Sequence, residues 1–323
     1  MDPATRIFGA SPLARKDETA VLEELLNDGW RYHDTESERL AIALEAAAED
    51  GIAPGLLAPF LDLGIHTIGE HLGDWPRALR LGRKAIGGQV PVLETARPWA
   101  QLHVAAILAG DYPEAADFEF SYAEASGRGF DAVLDLRFML AAALIASGRA
   151  AEGGRLYRRA LDLAGQMQPA ASLDRAIAIA GNNIGWELYE MPRRTRDEND
   201  LMRRAAGTSL ESWLRCGTWI NAERAHYLNA LVAIAAGDSE AGLNHADAAL
   251  AIIAANGARP LDTAQLHLAR AAALGALGDA AGRAGAIGDA DAAAAGLGAD
   301  LKARFDAARA KVAIPSSDPI LPA

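Results

Sequence analysis

The sequence predicts an all-α fold, a superhelix or solenoid of about seven antiparallel helix pairs closed by a C-terminal capping helix. Three observations predict it. Apolar residues recur at helical spacing between residues 17 and 312. A short glycine-containing joint recurs between these helical segments. Alanine, the best helix former, is abundant throughout, whereas aromatic residues make up only 6% of the chain.

The most complete joint is Leu72-Gly73-Asp74-Trp75-Pro76-Arg77-Ala78. Its glycine recurs at Gly110, Gly148, Gly237 and Gly278, so that successive glycines are 37, 38, 89 and 41 residues apart. The 89-residue step is interpreted as two repeats whose middle joint has changed. Self-similarity at such a period is typical of stacked helical hairpins. We expect the small residues to let paired helices pack closely, so that a large side chain at Gly73 overpacks the seam.

The N-terminal part is predicted as a flexible lead-in of residues 1–16, followed by the repeat domain of residues 17–312. The first helix is expected to begin near Asp17, and the second starts at Asp34 and ends at Gly51. This first pair lacks the glycine-aspartate joint. Terminal repeats are often atypical because one of their faces must meet water.

The segment from Pro54 to Pro59 is expected to separate this pair from the next. Further pairs are predicted at about 59–72 and 76–88, 98–109 and 113–126, 131–147 and 150–166, 219–236 and 239–255, and 262–277 and 280–295. A helix at about 172–190 precedes a charged insertion, residues 191–200, in place of the usual joint. The insertion is either a contact loop or tolerated surface drift. The partner helix then carries an apolar pattern from Leu201 to Leu214.

The last predicted helix, at about 300–312, has Leu301 and Phe305 on an apolar stripe and charged residues on its other side. One apolar stripe and one charged face suit a helix that closes a stack against solvent. Residues 313–323 contain three prolines and two serines and are predicted to be a disordered tail.

The tripeptide Asn183-Ile184-Gly185 resembles the start of the tetratricopeptide repeat, which has Asn-Leu-Gly at that point. Gly73-Asp74-Trp75, followed by Ala78 and Ala85, is similar to the rest of the same motif. The chain therefore resembles a tetratricopeptide-repeat protein with degenerate repeats. Its steps of 37 to 41 residues exceed the family's usual length of about 34 residues.

The resemblance implies that the first helix of each pair lines a concave wall where partners bind. Carried onto this chain, the layout gives a candidate groove in the middle repeats. Its residues are Arg137, Phe138, Asn182, Asn183, Trp186, Tyr189, Arg224 and Tyr227. Aromatic residues with arginine and asparagine make a plausible peptide-binding floor. The alternative for Trp186 is a core position between repeats.

Some members of this family hold a partner's C-terminal carboxylate with asparagine and basic residues on successive first helices. Asn183 and Arg224 occupy two of the five corresponding positions, whereas Phe138, Ala142 and Leu228 occupy the others. A carboxylate clamp is therefore not expected. The alternative for Asn183 is that its side chain satisfies a backbone group.

The composition excludes several function classes. The net charge of −12 opposes general nucleic-acid binding, since phosphate repels an acidic surface. The single cysteine, Cys216, excludes an internal disulfide and fits a reducing compartment. No apolar run reaches the roughly 18 residues that a membrane helix needs, and no signal peptide is visible. A cytoplasmic protein without a membrane segment is expected.

No glycine-rich phosphate loop, nucleophile elbow or paired-cysteine metal motif occurs in the sequence. The nearest metal constellation is His66 with Glu70 and His71, but in an α-helix residues five apart point to different faces. We therefore expect no metal site and no cofactor. Cys216 is expected to be an inert buried thiol rather than a nucleophile.

Three functions remain open. The main hypothesis is a non-catalytic adaptor or scaffold that binds a protein or peptide partner in the groove. The alternative is a regulatory or sensor module in which a peptide or small molecule shifts the superhelix. An enzyme that uses the aromatic groove as a pocket is the third, because a fold does not exclude a function. The sequence does not give the oligomeric state.

Overall fold

A computed structural model of the protein describes residues 12–49, 51–166 and 171–313, with fifteen α-helices and no β-strand in these ranges. The helices are α1 (Pro12–Gly29), α2 (Ser37–Ala47), α3 (Pro54–Ile65), α4 (Trp75–Ile86), α5 (Arg97–Ala109), α6 (Tyr112–Ser126), α7 (Phe130–Ala146), α8 (Ala150–Gly165), α9 (Ala171–Glu190), α10 (Arg196–Cys216), α11 (Trp219–Ala235), α12 (Ser239–Asn256), α13 (Pro260–Ala276), α14 (Ala280–Ala294) and α15 (Ala299–Ala313). A π-helical turn, His66–His71, follows α3 directly.

The chain divides into two compact units, with the boundary inside α7 between Leu136 and Arg137. In the N-terminal unit, α3 packs on α4, α4 on α5 and α5 on α6. In the C-terminal unit, each helix from α9 to α13 packs on the next. The predicted all-α fold of consecutively packed helix pairs is confirmed, and the chain is a helical-repeat protein.

The predicted closing helix packs as expected. Helix α15 contacts α13, and the Phe305 side chain, 1% exposed, lies in a cluster with Leu268 and Ala294. The predicted tail lies outside the described residues except for Ala313, which ends α15. No helix in the described ranges is long and apolar enough to cross a membrane.

The recurrent joints combine a helix C-cap with a helix N-cap. All five predicted joint glycines have positive φ, from 68° at Gly73 to 84° at Gly237. At four joints the next residue is an aspartate whose carboxylate accepts a hydrogen bond from a backbone amide three residues later: Asp74, Asp111, Asp238 and Asp279. Glycine ends one helix in the left-handed region and aspartate starts the next.

The expected packing role of Gly73 is wrong. A Cβ atom at Gly73 would have no atom within 4 Å, so its positive φ, rather than lack of space, demands glycine. The crowded residue of this joint is Gly69, where a Cβ would lie 2.5 Å from the ring of the buried Trp75. The seam therefore does need a small residue, but four positions earlier than predicted.

The charged segment 191–200 replaces the usual joint by side-chain capping. The Arg194 guanidinium donates to the carbonyls of Leu188, Tyr189 and Met191 at 2.8–2.9 Å. The Thr195 hydroxyl and Glu198 then form a capping box at the start of α10. Because α10 begins at Arg196, the second half of the predicted insertion is helix rather than loop.

Two other element boundaries differ from the prediction. Helix α1 begins at Pro12, so residues 12–16 of the predicted lead-in are helical, and residues 1–11 lie outside the described ranges. The predicted linker from Pro54 to Pro59 is the first half of α3, with Pro54 at the first position and Pro59 inside the helix. A proline is well tolerated in a first turn because the amide there has no helical partner.

The expectation that His66 and His71 point to different faces is also wrong. In the π-helical turn the Leu72 amide donates to the Thr67 carbonyl, five residues earlier, at 3.1 Å. A π-turn brings residues five apart onto one side of the helix, whereas an α-helix separates them. The Nε2 atoms of His66 and His71 accordingly lie 3.1 Å apart.

Candidate functional site

The first helices of successive pairs form a layer within the C-terminal unit. Helix α11 contacts α9 on one side and α13 on the other, although α10 and α12 intervene in sequence. Side chains from α9, α11 and α13 therefore meet along one face. We call this the α9–α11–α13 face.

Three aromatic side chains, Trp186, Tyr189 and Tyr227, lie together on this face and are called the aromatic group. The Trp186 ring centroid is 5.8 Å from that of Tyr189 and 5.9 Å from that of Tyr227. All three side chains are half-buried. Burial raises the pKa of the Tyr189 and Tyr227 hydroxyls, so that both remain neutral donors. Edge-to-face aromatic groups of this kind present a large apolar area with polar tips.

Charged side chains from α11 and from the start of α13 lie beside the aromatic group. The Glu223 carboxyl is 1% exposed, and its Oε2 atom accepts no hydrogen bond from the described residues. Arg259 Nε lies 3.7 Å from that atom and is also bonded to Asp262. Arg224 is exposed, with its Nε atom 3.9 Å from Asp262 Oδ2.

Burial, with the negative charge of Asp262, raises the pKa of Glu223 to about 7. The two arginines oppose this shift only in part. A buried carboxyl whose pKa lies near neutrality, beside a surface aromatic group, is a feature of functional sites. The arrangement offers an apolar platform, an exposed guanidinium and one proton-accepting group without a hydrogen-bonded partner.

The structure brings together only part of the predicted groove. Trp186, Tyr189, Arg224 and Tyr227 share the α9–α11–α13 face. Arg137 on α7 and Asn183 on α9 are exposed, and Asn182 is half-buried.

Phe138 is a wrong assignment. Its side chain is 0% exposed and packs edge to face against Tyr157 of α8, with ring centroids 5.8 Å apart. Phe138 therefore belongs to the core of the C-terminal unit. The sequence analysis placed both Arg137 and Phe138 in the groove, but adjacent residues of a helix point about 100° apart.

A buried asparagine satisfies backbone groups at Asn229 rather than at Asn183. Asn229 Nδ2 donates to the carbonyls of Ala206 at 2.9 Å and Ala225 at 2.8 Å, and the side chain is buried. The Asn183 side chain instead accepts a hydrogen bond from Asn182 Nδ2 at 3.3 Å.

Glu223, Arg259 and Asp262 are not among the groove residues that the sequence predicts. A signal for Glu223 exists, because it shares a helical stripe with Tyr227, Ala230 and Ile234, and a carboxylate on a buried stripe is unusual. The partnership with Asp262 depends on how α11 packs against α13, which no local pattern indicates.

Two other features are chemically less promising. Cys216 packs against a cluster that includes Trp213, and burial raises the pKa of its thiol, which disfavours the thiolate. In the N-terminal unit a shallow cleft of about 320 Å³ is lined by His103, Ile107, Tyr112, Ala116, Glu119, Phe120, Ala123 and Val133. The His103 side chain of this cleft already has partners, since its Nδ1 donates to the Ala115 carbonyl and Glu119 lies 4.0 Å from its Nε2.

Comparison with known proteins shows no family relationship. No family model matches the chain, and no curated protein does. Solved structures do match, among them "Crystal structure of BtubC (BKLC) from P. vanneervenii". That match is 16% identical, covers 90% of this chain and 97% of the other, and has a TM-score of 0.44. At this level of similarity, neither a family nor a function transfers to the chain.

Proposed function

We propose that this helical-repeat protein is a non-catalytic adaptor that binds a protein or peptide segment on the α9–α11–α13 face. The observation that carries the proposal is the half-exposed group of Trp186, Tyr189 and Tyr227 beside the exposed Arg224. Tryptophan, tyrosine and arginine are the residues that dominate binding hot spots.

The finer family assignment, a degenerate tetratricopeptide repeat, is part of this proposal. Supporting it, the Gly185 of Asn183-Ile184-Gly185 is tightly packed, since a Cβ there would lie 3.0 Å from a methyl group of Leu228. A small residue at this place lets α9 and α11 approach each other. In such folds the layer of first helices is the surface that partners use.

The proposed partner presents an apolar or aromatic anchor residue with polar neighbours. The anchor packs on the Trp186 and Tyr227 rings, and Arg224 donates to a carboxylate or carbonyl beside it. We propose a cytoplasmic role without nucleic-acid or membrane partners, which the net charge of −12 favours.

The test combines capture with matched variants. The tagged full-length protein is used to recover a stoichiometric partner, whose bound segment is mapped with synthetic peptides. Trp186→Ala combined with Arg224→Ala should weaken peptide binding by more than about 2 kcal/mol, measured by calorimetry, with helicity unchanged. The control is Leu214→Ala, which removes an exposed apolar side chain from α10, outside the face. Equal binding by the double variant and the control would reject the face as the site.

The ligand-responsive module remains the second candidate, and Glu223 favours it. Glu223 Oε2 accepts no hydrogen bond from the described residues, although Arg259 lies 3.7 Å away. A ligand that donated to this atom would stabilise the ionised carboxylate and offset part of the cost of burying it. Such a ligand should release a proton on binding near neutral pH, which calorimetry in buffers of different ionisation enthalpy detects. An adaptor that binds only through the aromatic group should show no proton release. No comparable observation favours the third hypothesis, an enzyme that uses the groove as a pocket.

A further inference from the structure

Three of the seven histidines of the chain meet on the N-terminal unit. His33 lies between α1 and α2, whereas His66 and His71 belong to the π-helical turn after α3. One ring nitrogen from each lies within 4.8 Å of the corresponding atoms of the other two. From this geometry we propose that His33, His66 and His71 bind a divalent transition-metal ion, with Zn²⁺ as the preferred occupant.

The π-helical turn is the feature that creates the cluster. It places the Nε2 atoms of His66 and His71 3.1 Å apart, which an α-helix over the same residues would not do. Single π-turns inside helices are rare and are frequently found at functional sites. The joint behind the turn is held rigidly, because the buried Trp75 packs on Gly69.

Hydrogen bonds to the Nδ1 atoms of His33 and His66 orient their Nε2 atoms for metal binding. His33 Nδ1 lies 2.9 Å from the Trp30 carbonyl, and His66 Nδ1 is bonded to the Glu70 carboxylate. Both acceptors are oxygens without a proton, so each Nδ1 must carry the hydrogen. This tautomer leaves the Nε2 lone pair of each ring for a metal ion, which would replace the 3.1 Å hydrogen bond between the Nε2 atoms of His66 and His71. An Nδ1–H bonded to a carbonyl or carboxylate is the usual support of a metal-bound histidine.

The separations suit one tetrahedral ion. Nitrogen ligands at about 2.0–2.1 Å from Zn²⁺ lie about 3.3 Å from one another. The pair of His66 and His71 is already close to this separation, and a small rotation of the half-exposed His33 side chain completes the triangle. Ring centroids of the three histidines are 4.6–5.0 Å apart, so no backbone shift is required.

The ligand set selects the metal class. Imidazole nitrogens suit Zn²⁺, Ni²⁺ and Cu²⁺, whereas Mg²⁺ and Ca²⁺ take oxygen ligands. Three protein ligands leave the fourth position of a tetrahedral ion to water or to a group from a partner. Glu70 supplies a nearby negative charge, and Trp30 borders the cluster with its ring centroid 5.4 Å from that of His66. Binding would tie the α1–α2 connection to the joint between α3 and α4.

The test titrates the full-length chain, freed of metal with a chelator, with ZnCl₂ alone. We expect one Zn²⁺ per chain, and Co²⁺ in its place should give the intense visible absorption of a tetrahedral site. His66→Ala and His71→Ala should each weaken binding at least tenfold and abolish the Co²⁺ spectrum. Glu70→Gln should weaken it about tenfold, since loss of the carboxylate that is bonded to His66 Nδ1 has that effect on metal affinity.

The control is His267→Gln, which removes a histidine of the C-terminal unit and should leave the stoichiometry and affinity unchanged. Circular dichroism of each variant without metal verifies the fold, and Glu70→Gln, which keeps all three ligands, covers the case in which a histidine variant is unstable. Absence of Zn²⁺ binding by the wild type would overturn the proposal. So would equal binding by the wild type and by the His66 and His71 variants, or a Co²⁺ spectrum of six-coordinate type.

Discussion

At single positions, the joints of this protein separate two roles of small residues that are easily confused. Gly73 has open space around its Cα hydrogens but a φ of 68°, whereas Gly69, inside the π-helical turn, has no positive φ but no space for a side chain. The first needs glycine for backbone conformation and the second for packing. A substitution therefore destabilises the two positions for different reasons.

The conformational role predicts the sign of a substitution. Gly73→Ala should lower the free energy of unfolding by about 1 kcal/mol, because alanine is strained at positive φ. Gly207→Ala is the matched control, since it too has open space but lies inside α10 without a positive φ. That change should raise the free energy of unfolding by about 0.5–1 kcal/mol. Urea denaturation measures both, and a Gly73 variant as stable as the wild type would refute the conformational argument.

The site could be predicted in part at the residue scale. The grouping of Trp186, Tyr189 and Tyr227 follows from residue type and helical spacing once the repeats are recognised. Phe138 could not be separated from Arg137 by type, because both are common at interfaces, and only helix phase distinguishes them. The partners of Glu223 come from α13 and its N-cap, some 36 to 39 residues further along the chain. Local patterns carry no information on that pairing.

Helix ends account for most of what the sequence predicts at the element scale. The positions of glycine and aspartate locate α4, α6, α12 and α14 to within a residue or two, because each joint caps both helices that it connects. The start of α3 was misplaced, since two prolines five residues apart resemble a linker. The π-turn has no sequence signal, because it differs from an α-turn only in hydrogen-bond offset.

The joint between α9 and α10 performs the same task with a side chain. Arg194→Ala would leave the carbonyls of Leu188, Tyr189 and Met191 without their donor, and should lower the free energy of unfolding by about 1.5–3 kcal/mol. Hydrogen exchange should accelerate locally at the end of α9. Arg193→Ala, at the exposed neighbouring position, is the control and should change stability by less than about 0.5 kcal/mol. Indistinguishable effects of the two variants would show that the capping contacts contribute little.

On the scale of the whole molecule, the fold is an array of helix pairs in two compact units. The prediction of the all-α class succeeded because four joints repeat the same glycine and aspartate caps between helices with apolar stripes. The boundary between Leu136 and Arg137 falls within the continuous helix α7, so no linker-like change in amino-acid composition marks it in the sequence. Long-range contacts of the layer formed by α9, α11 and α13 determine the site, which explains why the fold is easier to predict than the face.

The stability of the whole chain should depend on pH through Glu223. Its folded pKa of about 7 lies above the ordinary value of 4.5, so the folded state binds more protons than the unfolded state between these values. The contribution of the protonated carboxyl is fully present below pH 4.5 and is lost as the pH rises through 7. Between about pH 5 and pH 8 the wild type should lose about 2–3 kcal/mol relative to Glu223→Gln.

Urea denaturation at several pH values, monitored by circular dichroism, measures this difference. Glu240→Gln serves as the control, because Glu240 is exposed at the start of α12 and should follow the wild type at every pH. A constant difference between the wild type and Glu223→Gln across the range would show that Glu223 titrates normally in the folded protein.

The π-helical turn at His66–His71 also sets the rotational position, about the helix axis, of the residues that follow it. It accommodates one residue more than an α-helical path of the same rise, so deleting a single residue there would restore ordinary winding. If the deleted residue lies between His66 and His71, the two histidines become four residues apart and stay on one face of the α-helix. Among relatives of this chain, a one-residue gap between these histidines would therefore leave the pair together, whereas loss of the π-helical turn at constant length would separate it.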